Sequence, residues 1–162
     1  MNWGCMPAAE AQALIDLDRP GCGNTVFAGG IAKGDNPVTV LESLVSGSQP
    51  GALASSPYGS INFNPISPSF EAITISGGGN IFRRQRKATI DINPYNNPSI
   101  GIYWNAGNAD VNAITLIHEL GHLFNFVFGA GSSTIQYDGG GRTGVNMTAE
   151  ANNAARLLPC TN

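Results

Sequence analysis

Both histidines of this 162-residue chain sit four residues apart, in His118-Glu119-Leu120-Gly121-His122. Residues i and i+4 of an α-helix stand one above the other on the same face. In a helix, the two imidazoles therefore aim ring nitrogens at one point, and H-E-x-x-H is the pattern that holds Zn²⁺ in this way. Glu119 then lies about 100° round the helix, beside the ion and not bound to it. A zinc with three protein ligands keeps a fourth position for water and makes that water acidic near neutral pH. Glu119 can take its proton and pass it to a leaving amine. The expected chemistry is peptide-bond hydrolysis, with Zn²⁺ as cofactor, His118 and His122 as ligands and Glu119 as general base.

A plainer reading is a pair of histidines with no ligand. Two features weigh against it. The chain spends its entire histidine content here. The residue between them is also a glutamate with apolar flanks on a helix expected to be largely buried, and burying a carboxylate is costly unless a cation or hydrogen bond compensates it.

The helix that must carry these residues is legible over 110–128. Asn108 or Asp110 can cap its start, because a short polar side chain accepts from an unpaired N–H. Ile117, Leu120, Phe124, Val127 and Phe128 recur at helical spacing, and Gly129 and Gly131 follow where the helix should stop.

The site needs a third protein ligand, and no histidine remains. Two carboxylates lie downstream of His122, at Asp138 and Glu150. Glu150 falls in the first turns of a final helix, where a negative charge also serves the helix N-terminus. Asp138 precedes Gly139, a common turn arrangement. The residues alone leave the two near even. The longer motif H-E-x-x-H-x-x-G-x-x-H is excluded, since position 125 is Asn and position 128 is Phe. Tyr137 and Arg142 are candidate donors to an oxyanion, although ring packing on the helix is the simpler use of Tyr137 and a surface position that of Arg142. Asn125, one turn beyond His122, is placed to hydrogen-bond near the site.

The rest of the chain reads as scaffold. Residues 7–18 predict a helix with Pro7 in its first turn, 25–28 a short strand, and 37–46 a second helix closed by Gly47. From 59 to 104 the pattern has period two, with strands expected near 61–64, 72–75, 88–92 and 100–104. A last helix is expected over 147–158. Helices at both ends and strands between give an α+β fold, with a small, mostly antiparallel sheet feeding the active-site helix, as one domain over 1–162.

Charged residues are 12% of the chain, about half the usual share, and the net charge is −3. That balance excludes a nucleic-acid partner and suits a secreted or cell-surface protein. The one basic run, residues 83–87, is short enough to be a solvated turn. No stretch is long and apolar enough to span a bilayer. No secretion signal is visible at Met1–Gly4, so the chain reads as a piece of a larger protein. Three cysteines, Cys5, Cys22 and Cys160, allow one internal bridge, from Cys160 to Cys22 or Cys5, or none.

HELGH followed by a Gly-rich loop resembles the zincin superfamily of metallopeptidases. The wider pattern resembles bacterial domains found at the C-terminal end of RHS-repeat-like surface proteins. It is carried by Cys22 with Phe27-Ala28-Gly29-Gly30, by Ile92-Asn93-Pro94, by Ile117 to His122, by the turn at 129–132 and by an Asn-containing last helix ending in Cys160. The resemblance implies a zincin-like fold, a peptide or protein substrate bound along an edge strand, and a setting in a surface or toxin protein. It also implies Asp138 as third ligand, with Glu150 as the alternative. The rival function is a non-catalytic zinc-binding or interaction module, against which the intact Glu119 argues.

Overall fold

The computed structural model describes residues 3–64, 72–77, 86–93, 104, 108–139 and 146–161. Within 72–77 it describes the backbone and the Thr74 side chain. The expected strand at 100–104, apart from Trp104, most of the basic run and Arg142 lie outside the described residues.

Helix α1 (Met6–Asp18) has Pro7 in its first turn and buries Met6, Ala9, Ala13 and Leu17. The small alanines let it pack closely on the long helix α5 (Ala109–Val127). Two five-residue helices follow, α2 (Cys22–Val26) and α3 (Ala28–Ala32). They replace the expected strand at 25–28. No described strand lies beside this segment, and helical turns satisfy backbone groups locally that a lone strand would leave open. Phe27 between them is fully buried, its ring edge-on to Phe124 of α5 at 4.8 Å. Helix α4 (Pro37–Ser48) starts where Asn36 accepts from Val38 N–H at 2.9 Å. It runs one residue past Gly47, the expected stop.

Among the described residues the sheet has three strands, β1 (Gly59–Phe63), β2 (Ala72–Gly77) and β3 (Lys87–Ile92), in the order β1-β3-β2. The β2–β3 pair is antiparallel, but β1 runs parallel to β3, with Ile61 opposite Ile90. The expectation of a mostly antiparallel sheet is therefore corrected: the sheet is mixed. Alternation of apolar and polar residues is identical in both kinds of pairing, so sequence carried no sign of direction. β3 is central and buried, with Ala88, Ile90 and Ile92 in the core and Asp91 accepting from Asn64 Nδ2 at 2.9 Å.

The class is α+β as expected. The core lies between the sheet and α1, α4 and α5. Helix α6 (Met147–Leu157) and the turn Leu158–Cys160 close the chain. A disulfide joins Cys22 to Cys160. Closing a loop of that length contributes about 4–5 kcal/mol by the chain-entropy account. It fixes the pairing left open by the sequence and leaves Cys5 outside the bridge. No described helix is long and apolar enough to cross a membrane.

Candidate metal centre

Asn108 caps α5 by accepting from Val111 N–H at 2.9 Å. The inner face of the helix buries Ala113, Leu116, Ile117, Leu120, Leu123 and Phe124. The opposite face presents both histidines, His118 partly buried and His122 buried. Their Nε2 atoms stand 3.1 Å apart. Gly129, at φ +101, then turns the chain out of the helix in the left-handed conformation that suits glycine.

The loop after that turn brings Asp138 back onto the histidines. Its Oδ2 lies 2.8 Å from His118 Nε2, and its Oδ1 lies 3.2 Å from His122 Nε2. The three ligand atoms all fall within 4.8 Å of one another. A tetrahedral zinc with bonds near 2.1 Å has ligands about 3.4 Å apart. The donor set, two imidazoles and one carboxylate, and its separations fit such an ion.

The electrostatics agree. Burial pushes the His118 pKa down, but the hydrogen bond to Asp138 and the charges of Glu119, Asp138 and Glu150 outweigh it and raise the value. Burial pushes Asp138 up, yet its bonds to His118 and His122 and their charges hold it well below the usual carboxylate range. Asp138 is thus an anion at neutral pH, as a metal ligand must be. Glu150 is exposed in the first turn of α6. Its charge reaches His118, but its carboxylate is not among the converging atoms.

Gly121, inside the motif, has a packing reason: a Cβ there would meet Ile135 Cγ1 at 2.3 Å, so only glycine lets the ligand loop lie on the helix. Asn125 holds that loop as its position suggested. Its Nδ2 donates to Ile135 O at 2.9 Å, and its Oδ1 accepts from Ser133 N at 2.8 Å. Ser133 Oγ donates to Gly121 O at 2.7 Å. From the other side, Asn153 of α6 donates to Asp138 Oδ2 at 3.1 Å. Arg156 Nη1 donates to Thr134 O.

Glu119 is buried next to the cluster and accepts from Thr74 Oγ1 at 2.5 Å. The same hydroxyl lies 3.1 Å from the Glu119 carbonyl oxygen. Strand β2 thus orients the glutamate. Tyr137 is two-thirds exposed.

The sequence reading missed Thr74, Ser133 and Asn153. Thr74 and Ser133 carried no signal, being ordinary in a strand and a loop. Asn153 carried one: consecutive asparagines inside a helix are poor helix formers, and such a residue is retained where its side chain has other work. The chain matches no family model, no curated protein and no solved structure. What the site can do is therefore read from its own atoms.

Proposed function

We propose that this chain is a zincin-type zinc metallopeptidase domain. The observation that carries the reading is the convergence of His118 Nε2, His122 Nε2 and the Asp138 carboxylate beside a buried Glu119. The bound ion would supply Lewis acidity, acidifying a water and polarising the scissile carbonyl. The side chains do the rest. His118, His122 and Asp138 hold the ion. Glu119, steadied by Thr74, accepts the proton of the attacking water at its carboxylate and returns it to the amine nitrogen as the C–N bond breaks. β2 is an edge of the described sheet and touches the motif helix through Thr74. An extended peptide laid along it would pass over the site. Tyr137, exposed beside Asp138, is within the same region for donating to a developing oxyanion.

A disulfide is at home in an oxidising compartment, which supports a secreted or surface setting. Substrate there is a peptide or protein.

The test is zinc content by elemental analysis of wild type, Asp138→Ala and Glu150→Ala, together with cleavage of a peptide library. One zinc per chain, lost in Asp138→Ala and kept in Glu150→Ala, with metal-dependent cleavage by wild type, is the expected result. Zinc without cleavage of any peptide would favour the non-catalytic module. No zinc in wild type after metal addition would sink the metal site.

A further inference from the structure

We propose that Asn153 is the positioning residue for the third ligand, an inference that rests on the metal reading above. Asn153 lies in the middle of α6 and is wholly buried. Its Oδ1 accepts from Gln136 N–H at 2.7 Å, and its Nδ2 donates to Gln136 O at 2.8 Å. These two bonds clamp the main chain two residues before Asp138. The second N–H of the same amide goes to the ligand itself, reaching Asp138 Oδ2 at 3.1 Å. Both donors and one acceptor are thereby satisfied, as a buried amide requires.

The two-point clamp alone would hold the loop. The third bond acts on the carboxylate: it restricts rotation of the Asp138 side chain and takes a lone pair of Oδ2, the oxygen that His118 Nε2 also faces. The choice of an amide matters. A neutral donor orients the anion without cancelling its charge, whereas Lys or Arg there would compete with the cation. The same helix grips the main chain of Asp138, since Asn146, the α6 cap, donates its N–H to Asp138 O at 2.6 Å. The ligand is thus set from α6 before an ion arrives, which is how outer partners raise metal affinity.

The test uses Asn153→Asp and Asn153→Ala in the full chain. Asn153→Asp keeps the size and the acceptor for Gln136 N–H but turns an oxygen toward both Gln136 O and Asp138 Oδ2. Zinc affinity is measured by competition with a chromophoric chelator, at a temperature where circular dichroism shows each protein folded. Both variants should bind zinc about 10–100-fold more weakly than wild type, and their Co²⁺ absorption spectra should depart from that of wild type. If Asn153→Ala does not fold, Asn153→Asp decides the matter alone. A folded variant with affinity within about twofold of wild type and a superimposable Co²⁺ spectrum overturns the proposal, whatever its melting temperature. Absence of zinc binding by wild type would instead bring down the metal reading, and this inference with it.

Discussion

The two sides of the site are built on different principles. His118, Glu119 and His122 belong to one helix, and their relative placement follows from 3.6 residues per turn. Asp138 belongs to a loop without regular structure, which is held by side chains from two helices, Asn125 of α5 at Ser133 and Ile135 and Asn153 of α6 at Gln136 and Asp138. The helix side is fixed by local hydrogen bonds and a buried apolar face. The loop side is fixed by polar contacts across 8 to 17 residues of sequence. A local device survives the loss of distant parts; a long-range clamp does not. Perturbations should therefore separate the two sides.

The largest effect belongs to the helix side and leaves the framework alone. Glu119→Gln should keep one zinc and lower kcat by about 10²–10⁴-fold, the usual contribution of a general base. Peptide turnover and zinc content measured on one sample check this. Full activity in Glu119→Gln would break the assignment of the base. His118→Ala should lose zinc and activity together.

Next comes the frame of the loop side. Cys160→Ser opens the Cys22–Cys160 bridge, and loss of a native disulfide costs about 2–5 kcal/mol. Chemical denaturation should show that loss. Zinc affinity should fall as well, because α6 carries Asn153. A stability loss of that size with unchanged zinc affinity would show that the clamp does not depend on the anchored C-terminus. One step smaller is Asn125→Ala, which leaves Ser133 N–H and Ile135 O without their partner. It should cost about 1–3 kcal/mol and weaken zinc binding without removing it.

The same contrast explains what could be read from the sequence. The helix, a cap at Asn108 or Asp110 and its histidine face were legible because each depends on neighbours within a few residues. The candidacy of Asp138 was legible by elimination, but its preference over Glu150 came from resemblance. The path of the loop that decides between them depends on Gly121 yielding room to Ile135. Thr74 acts on Glu119 from 45 residues away, a relation no local pattern encodes. The segment 25–28 misled for the opposite reason: its β-branched and aromatic residues favour a strand locally, but with no described strand to pair with it folds as helical turns around buried Phe27.

The pH dependence joins the two sides through His118 and Asp138. His118 titrates above its ordinary 6.5 in the metal-free protein. A protonated imidazole cannot ligate, so zinc affinity should fall as pH drops through that raised value, earlier than for a free histidine. Metal-free stability should move the other way. The stabilisation from a raised His118 is full below about 6.5 and is lost as pH rises through the folded value. That from a lowered Asp138 is present above its ordinary 3.8 and is lost as pH falls below it. The pair should thus steady the metal-free protein mainly between about pH 4 and 6.5. Denaturation of metal-free protein and zinc competition, both across pH, check the opposed trends, and Asp138→Ala should flatten the stability trend.

The smallest expected effect tests whether the helix side is as self-sufficient as its geometry suggests. Thr74 is the one described contact through which the edge strand touches the general base. A hydrogen bond to a charged group contributes about 1.5–3 kcal/mol, but a glutamate already fixed by its own helix needs little of that to stay in place. Thr74→Val keeps the shape and removes the donor. It should lower kcat about tenfold, the low end of that range, leave zinc content unchanged and leave KM close to wild type. Thr74→Ser should restore kcat, since it returns the hydroxyl. If KM rises and kcat holds, Thr74 meets the substrate and not Glu119. If kcat falls as far as in Glu119→Gln, the base depends on the sheet as strongly as Asp138 depends on α6. The helix would then supply spacing alone, and both sides of the site would rest on long-range contacts.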